Sequence, residues 1–192
     1  MTEGELNVFR EGRIVAWADL HYTLVIDFLD AMNGATRRLT LPSGGSIDVA
    51  IPAGVREGQV IRLRGKGAPS RGEGPAGDAL IELNIRLHRF FVLEGDDIRL
   101  ELPVTLKEAV LGGRIKVPTP AGAVMMNVPR GSNTGTVLRL RRKGAPRKSG
   151  GHGDELVVLK VILPASPDHG LEELVSNWSP STNDDLRREM LS

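Results

Sequence analysis

The apolar positions of this chain alternate singly with polar ones over several long stretches. Leu20, Tyr22, Leu24 and Ile26 interleave with His21, Thr23, Val25 and Asp27, and a period of two predicts a strand with one buried face. The same reading predicts strands at 36–41 and 46–51 about the turn Pro42-Ser43-Gly44-Gly45, at 60–64, and at 80–87. Segment 28–33 reads as a short helical turn between the first two strands.

This order then recurs. IPAGVREGQVIRLRGKGAP (51–69) is echoed by VPRGSNTGTVLRLRRKGAP (128–146), about 77 positions later. The helical turn 28–34 recurs as 106–112, and Gly77-Asp78-Ala79-Leu80 recurs as Gly153-Asp154-Glu155-Leu156. The second copy predicts strands at 114–118, 123–128, 137–141 and 156–163. A repeat of this length means one supersecondary unit used twice. The predicted fold is mainly β: two tandem, similar β-sandwich-like lobes, each with a short helix, joined near Gly95-Asp96. The organisation is an N-terminal segment (1–18), a first lobe (19–93), a second lobe (94–164) and a tail (165–192). Gly54 and Gly131, with Gly58 and Gly135, fall where the chain must turn, and such sites favour positive φ.

After Pro164 the period lengthens. Ser166-Pro167 predicts a helix start, with Ser166 as the N-cap. Leu171, Leu174, Val175 and Trp178 lie at i, i+3, i+4 and i+7, one face of a helix. Ser179-Pro180 ends it, and Asn183 caps a final short helix carrying Leu186, Met190 and Leu191.

Composition removes whole classes of chemistry. The 192 residues include no cysteine, which excludes disulfides, thiolate catalysis and cysteine-ligated zinc. The formal charge of +1 creates no global field for nucleic acid, and 4% aromatic content leaves little for base stacking. No apolar run reaches membrane-spanning length, and Met1–Arg10 lacks the apolar core of a signal peptide, so a cytoplasmic protein with no membrane partner is expected. His21, His88, His152 and His169 stand at no metal-ligand spacing, and no nucleophile–base or acid–base set is evident. No catalytic residue, metal or cofactor is expected. The basic runs Arg62-Arg64-Lys66 and Arg139-Arg141-Arg142-Lys143 read first as solvated strand exits, with phosphate contact as the sharper alternative.

What remains is a sheet edge. Tyr22 and Leu24 point one way on one strand, and Arg37, Leu39 and Leu41 share a face on another. If that pair leaves an edge and a shallow groove open, an extended peptide adds as a further strand, held mainly by backbone hydrogen bonds. By pattern alone the same residues read better as plain sandwich core.

The paired IPAGV…GQVIRLRGKGAP and VPRGS…GTVLRLRRKGAP units resemble the C-terminal domains of DnaJ-type co-chaperones. So do Asp19-Leu20-His21-Tyr22, PVTLKEAVLGG (103–113) and Gly95-Asp96-Asp97-Ile98, over roughly 19–164. The resemblance implies a non-enzymatic module whose first lobe captures unfolded polypeptide by strand addition, for delivery to a DnaK-type chaperone. It places the peptide groove on Tyr22, Leu24, Arg37, Leu39, Leu41 and Phe91, and gives Leu100, Leu102, Ile115 and Val117 of the second lobe a structural role. It also implies a homodimer held by the helical tail through Leu186, Met190 and Leu191, with Trp178 behind. On that reading Tyr22→Ala and Leu39→Ala weaken binding and leave thermal unfolding nearly unchanged. The chain carries no HPD tripeptide and no cysteine-rich zinc insertion. It therefore sits nearest the zinc-free, curved-DNA-binding-protein-like bacterial members, and is expected to be a fragment of a longer J-domain protein, with an orphan domain as the alternative. A DNA-binding architectural module is the alternative function.

Overall fold

The computed structural model describes residues 6–7, 19–41, 45–68 and 76–179. In the first half these form β1 (Leu6–Asn7), β2 (Leu20–Asp27), α1 (Phe28–Asn33), β3 (Ala35–Thr40), β4 (Ser46–Ile51), β5 (Val60–Leu63) and β6 (Ala79–Arg86). The second half gives β7 (Phe91–Glu94), β8 (Asp97–Thr105), α2 (Leu106–Leu111), β9 (Gly113–Thr119), β10 (Gly122–Val128), β11 (Val137–Leu140), β12 (Glu155–Ile162) and α3 (His169–Asn177).

The repeat appears as two copies of one topology. The first lobe has a four-stranded sheet ordered β1-β2-β6-β5 and the hairpin β3-β4; the second has β7-β8-β12-β11 and the hairpin β9-β10. A parallel pair lies at the centre of each larger sheet, β2 with β6 from Leu20↔Ala79 and β8 with β12 from Ile98↔Glu155. The frames coincide: Tyr22 sits opposite Ile81, and its counterpart Leu100 sits opposite Val157. Alternation does what a half-buried strand requires. Tyr22, Leu24 and Ile26 are buried on β2, and Ile98, Leu100, Leu102 and Val104 on β8. Leu39, Val49 and Ile51 of the β3-β4 hairpin close over the first sheet in the same core.

The short helices differ in how they start. Thr105 and Glu108 form a reciprocal capping box on α2, whereas Asp27 makes no side-chain cap on α1. Turn glycines behave as the pattern predicts, Gly54 and Gly131 taking φ of 82° and 74°.

Two expectations need correction. The predicted lobe boundary at 93/94 runs through a hairpin: β7 pairs antiparallel with β8 from Phe91↔Leu100 to Glu94↔Asp97, so Phe91 belongs to the second sheet. A strand next to a tight turn pairs with its immediate successor, and Gly95-Asp96 is that turn. The tail helix starts at His169, where the Asp168 carboxylate accepts the Leu171 N–H at 3.1 Å, and Ser166-Pro167 lies before it. An aspartate cap in the right register displaces the serine expected there. The predicted final helix, with Leu186, Met190 and Leu191, lies outside the described residues. Among the described residues no helix is long and apolar enough to cross a membrane.

Candidate polypeptide-binding site

The two lobes differ at one margin. On its inner side β2 pairs with β6; on its outer side β1 adds antiparallel, Leu6↔Leu24 and Asn7↔Thr23. Among the described residues nothing else pairs with the outer side of β2. In the second lobe the equivalent margin of β8 is closed by β7 over Asp97–Leu100, a strand joined to it through a tight turn. The first-lobe hairpin also has a second margin, since β3 pairs only with β4 among the described residues.

The side chains assigned to the groove are brought together only in part. Tyr22 is 4% exposed and both Leu24 and Leu39 are 3% exposed, so all three are sealed in the first-lobe core. Desolvation pushes the Tyr22 phenol above its ordinary value, as expected for a ring taken out of water. Leu41 is half-buried at the end of β3. Arg37 lies on the same strand and its Nε donates to Asp30 Oδ2 of α1 at 2.9 Å, with Asp27 at 3.6 Å. Asp27 also receives Arg86 at 3.1 Å. Two guanidiniums and two carboxylates thus neutralise one another where β2 meets α1.

Phe91 lies elsewhere. It is 6% exposed in the joint between lobes, stacked on His88 at 4.7 Å and on Phe28 at 6.0 Å. His88 Nδ1 accepts the backbone N–H groups of Phe90 and Phe91, each at 3.1 Å, which ties the joint into one turn. The trough that the resemblance implies is therefore filled by the protein's own side chains, as the core reading of the pattern has it. Tyr22 and Leu39 are reachable from outside only if the layers part.

Outward apolar residues near this margin were not singled out by pattern. Val25 on β2 and Leu29 on α1 are 37% and 38% exposed. Val25 sits in the outward phase with Thr23 and Asp27, and an apolar residue in a polar phase was the available signal.

The basic runs are partly spoken for. Asp78 accepts from Arg62 at 2.5 Å and from the Gly65 N–H at 2.7 Å; Asp154 repeats this with Arg139 at 2.5 Å and the Arg142 N–H at 2.7 Å. The backbone donor first and the arginine second hold both carboxyls below their usual range. Among the described residues Arg64, Lys66, Arg141 and Lys143 make no salt bridge. No group of three or more His, Asp or Glu among them is placed to hold a metal ion. At the other end, Leu174, Val175 and Trp178 of the tail are 67%, 54% and 66% exposed, an apolar stripe without a partner among the described residues.

The family described as DnaJ C terminal domain matches residues 20–164, which cover both lobes. A protein named "Curved DNA-binding protein" from Coxiella burnetii (strain Dugway 5J108-111) is 37% identical over 186 residues, covering 90% of this chain and 59% of that protein. "Chaperone protein DnaJ" from Oceanobacillus iheyensis is 42% identical over 141 residues, 73% of this chain and 38% of that protein. Its namesake from Natronomonas pharaonis is 39% identical over 142 residues, 73% and 37% of the respective lengths. The chain thus spans between about two-fifths and three-fifths of the length of these relatives. With a doubled sandwich, a matching repeat and a family match over both lobes, the chain belongs to the DnaJ C-terminal domain family.

Proposed function

We propose that this chain is a non-enzymatic chaperone module that binds extended, unfolded polypeptide by adding it as a strand to the outer margin of β2. One observation supports the reading: β1 covers the outer margin of β2 only at Leu24 and Thr23, whereas β7 covers its counterpart on β8 over Asp97–Leu100. Backbone pairing is blind to sequence, which suits a binder of many clients. An incoming strand takes the place of the two-residue β1 pairing. Tyr22, Leu24, Leu39 and Leu41 then form the floor beneath the margin, and Arg37 fixes the β2–α1 corner. Phe91 belongs to the joint behind it.

Delivery of the captured segment to a DnaK-type chaperone in the cytoplasm belongs to the same proposal. The exposed stripe ending in Trp178, with Leu186, Met190 and Leu191, is the proposed homodimer contact. A dimer tethers two client margins and raises the apparent affinity for long chains.

The test uses an extended apolar peptide N-methylated at alternate backbone positions, followed by fluorescence anisotropy. Strand addition requires that methylation in one phase abolish binding and in the other phase spare it, because only alternate N–H groups face the margin. Equal binding by both methylated peptides overturns the proposal. The second reading, a DNA-binding module, is favoured by the name of the Coxiella relative and by the basic residues at the strand exits. It predicts affinity for duplex DNA that falls steeply as salt rises about tenfold. Peptide binding by backbone pairing is insensitive to the same change.

A further inference from the structure

Glu155, the first residue of β12, is fully buried, and neither carboxylate oxygen has a hydrogen-bond partner among the described residues. The matching position in the first lobe is Ala79, equally buried. The second lobe thus carries an acid where its twin carries a methyl group. Its cross-strand neighbours are apolar, Ile98 on β8 and Leu140 on β11. The charged groups around the head of β12 are otherwise engaged. Asp154 takes Arg139 and the Arg142 N–H, Asp97 accepts the Asp154 N–H at 2.7 Å, and Asp96 faces Arg56 and Arg147. Among the described residues the charge of Lys143 opposes the effect of burial on Glu155. The loop bearing it is pressed onto the strand head: Ala145 is fully buried, and a Cβ on Gly144 would stand 2.5 Å from the Asp154 carbonyl oxygen.

An unpaired buried carboxylate is costly, whereas the neutral acid is tolerated. We propose that Glu155 is a proton-linked latch of the second lobe: neutral, it stays enclosed at the head of β12, and ionised, it leaves toward Lys143 and water, loosening the β11–β12 junction. The latch involves one lobe only, because Ala79 has nothing to titrate. It lies at the start of the strand that leads into the tail helix, so loosening there slackens the anchor of the tail.

Burial pushes the Glu155 carboxyl up to about 7, with Lys143 pulling the other way. The folded state therefore binds more protons than the unfolded state between 4.5 and about 7. The contribution of Glu155 to second-lobe stability is full below this window, declines across it and is level above it.

The experiment is hydrogen exchange of the full chain across that window, corrected for the intrinsic exchange rate, with the first lobe as internal control. Protection of β11 and β12 amides relative to β5 and β6 is expected to fall on the order of a hundredfold from the bottom of the window to the top. Glu155→Gln, which mimics the neutral acid, and Glu155→Ala, which copies the first lobe, are both expected to abolish the fall. In parallel, a carboxyl 13C titration is expected to show one glutamate resonance with its midpoint near neutrality, missing from Glu155→Gln. A wild-type ratio that stays constant with pH, a slope that survives in either variant, or a Glu155 midpoint in the ordinary glutamate range overturns the proposal.

Discussion

Arg56 of the first lobe donates to Asp96 of the β7–β8 turn at 2.9 Å, while its other terminal nitrogen holds the Gly54 carbonyl at 3.0 Å. Arg147 reaches the second oxygen of the same carboxylate at 3.5 Å. Asp96 is thus gripped from both lobes, and Asn33 donating to the Pro120 carbonyl at 2.8 Å is a further tie between them. Partly exposed pairs of this kind contribute little to stability, roughly 0.2–1 kcal/mol. Their effect is geometric. Asp96→Ala is expected to lower thermal stability by less than about 1 kcal/mol while broadening the interlobe distance distribution measured by spin labels on the two lobes. An unchanged distribution would show that the joint at His88 and Phe91 sets the angle alone.

Leu39→Ala and Tyr22→Ala are expected to unfold the first lobe more easily, by about 2–5 kcal/mol each. Both side chains are almost fully enclosed, so truncation leaves a cavity. The groove that the resemblance implies requires these substitutions to spare thermal unfolding, which holds only for a groove open to water; the burial of both side chains agrees instead with the core reading of the pattern. Urea denaturation of the two variants decides the matter: shifts of a few tenths of a kcal/mol would mean that the layers part readily and the floor is accessible.

Gly153→Ala is expected to destabilise the second lobe by at least about 1–3 kcal/mol. The added Cβ would stand 1.9 Å from the Asp96 carbonyl oxygen and 2.5 Å from its carbon, both backbone atoms that cannot swing aside. Gly95→Ala meets nothing within 4 Å, and is strained only by its φ of +65°. Parallel thermal melts check the order, with Gly153→Ala the less stable of the two.

Acid weakens both lobes through one repeated contact. The Asp78 and Asp154 carboxyls are held below 3.8, first by the backbone N–H groups of Gly65 and Arg142 and then by Arg62 and Arg139. A depressed carboxyl means that the folded state binds fewer protons, so this stability is present above the unfolded value and lost as pH falls below it. Asp78→Asn and Asp154→Asn should each flatten the acid limb of a melting-temperature profile. Acting with the opposite slope of Glu155, the Asp154 contact puts the second lobe's optimum on the mildly acidic side, between the two windows. An acid limb identical in wild type and both variants would place the sensitivity in other carboxylates.

Much of the architecture was legible in the residues because it is encoded locally and stated twice. Alternation along Leu20–Ile26 and the echo of 51–69 in 128–146 point to the doubled lobe, its turns and most of its strands, but not to β1, β7 or β8. The tail cap was misplaced by two residues because Ser166 and Asp168 both satisfy the local rule, and only the hydrogen bond to Leu171 chooses between them. The candidate site was legible as a strand but not as a surface. Tyr22 and Leu39 read the same whether the neighbouring layer stands open or shut over them. The resemblance puts Phe91 in the groove, whereas its pairing with Leu100 in the β7–β8 hairpin commits it to the other lobe's sheet. Glu155 was in view as an exception within the repeat, against Ala79, but nothing in one dimension says that its carboxyl ends up without a partner.

The order of residues alone settles that this chain builds two copies of one β-rich unit and which face of each strand is apolar, since side-chain periodicity and turn chemistry act over a few neighbours. Folding in three dimensions decides which margins stay available and which acids are stranded. Hydrogen-bond partners and exclusion from water are supplied by segments as distant as Ile98 and Glu155, and no local pattern records who arrives there.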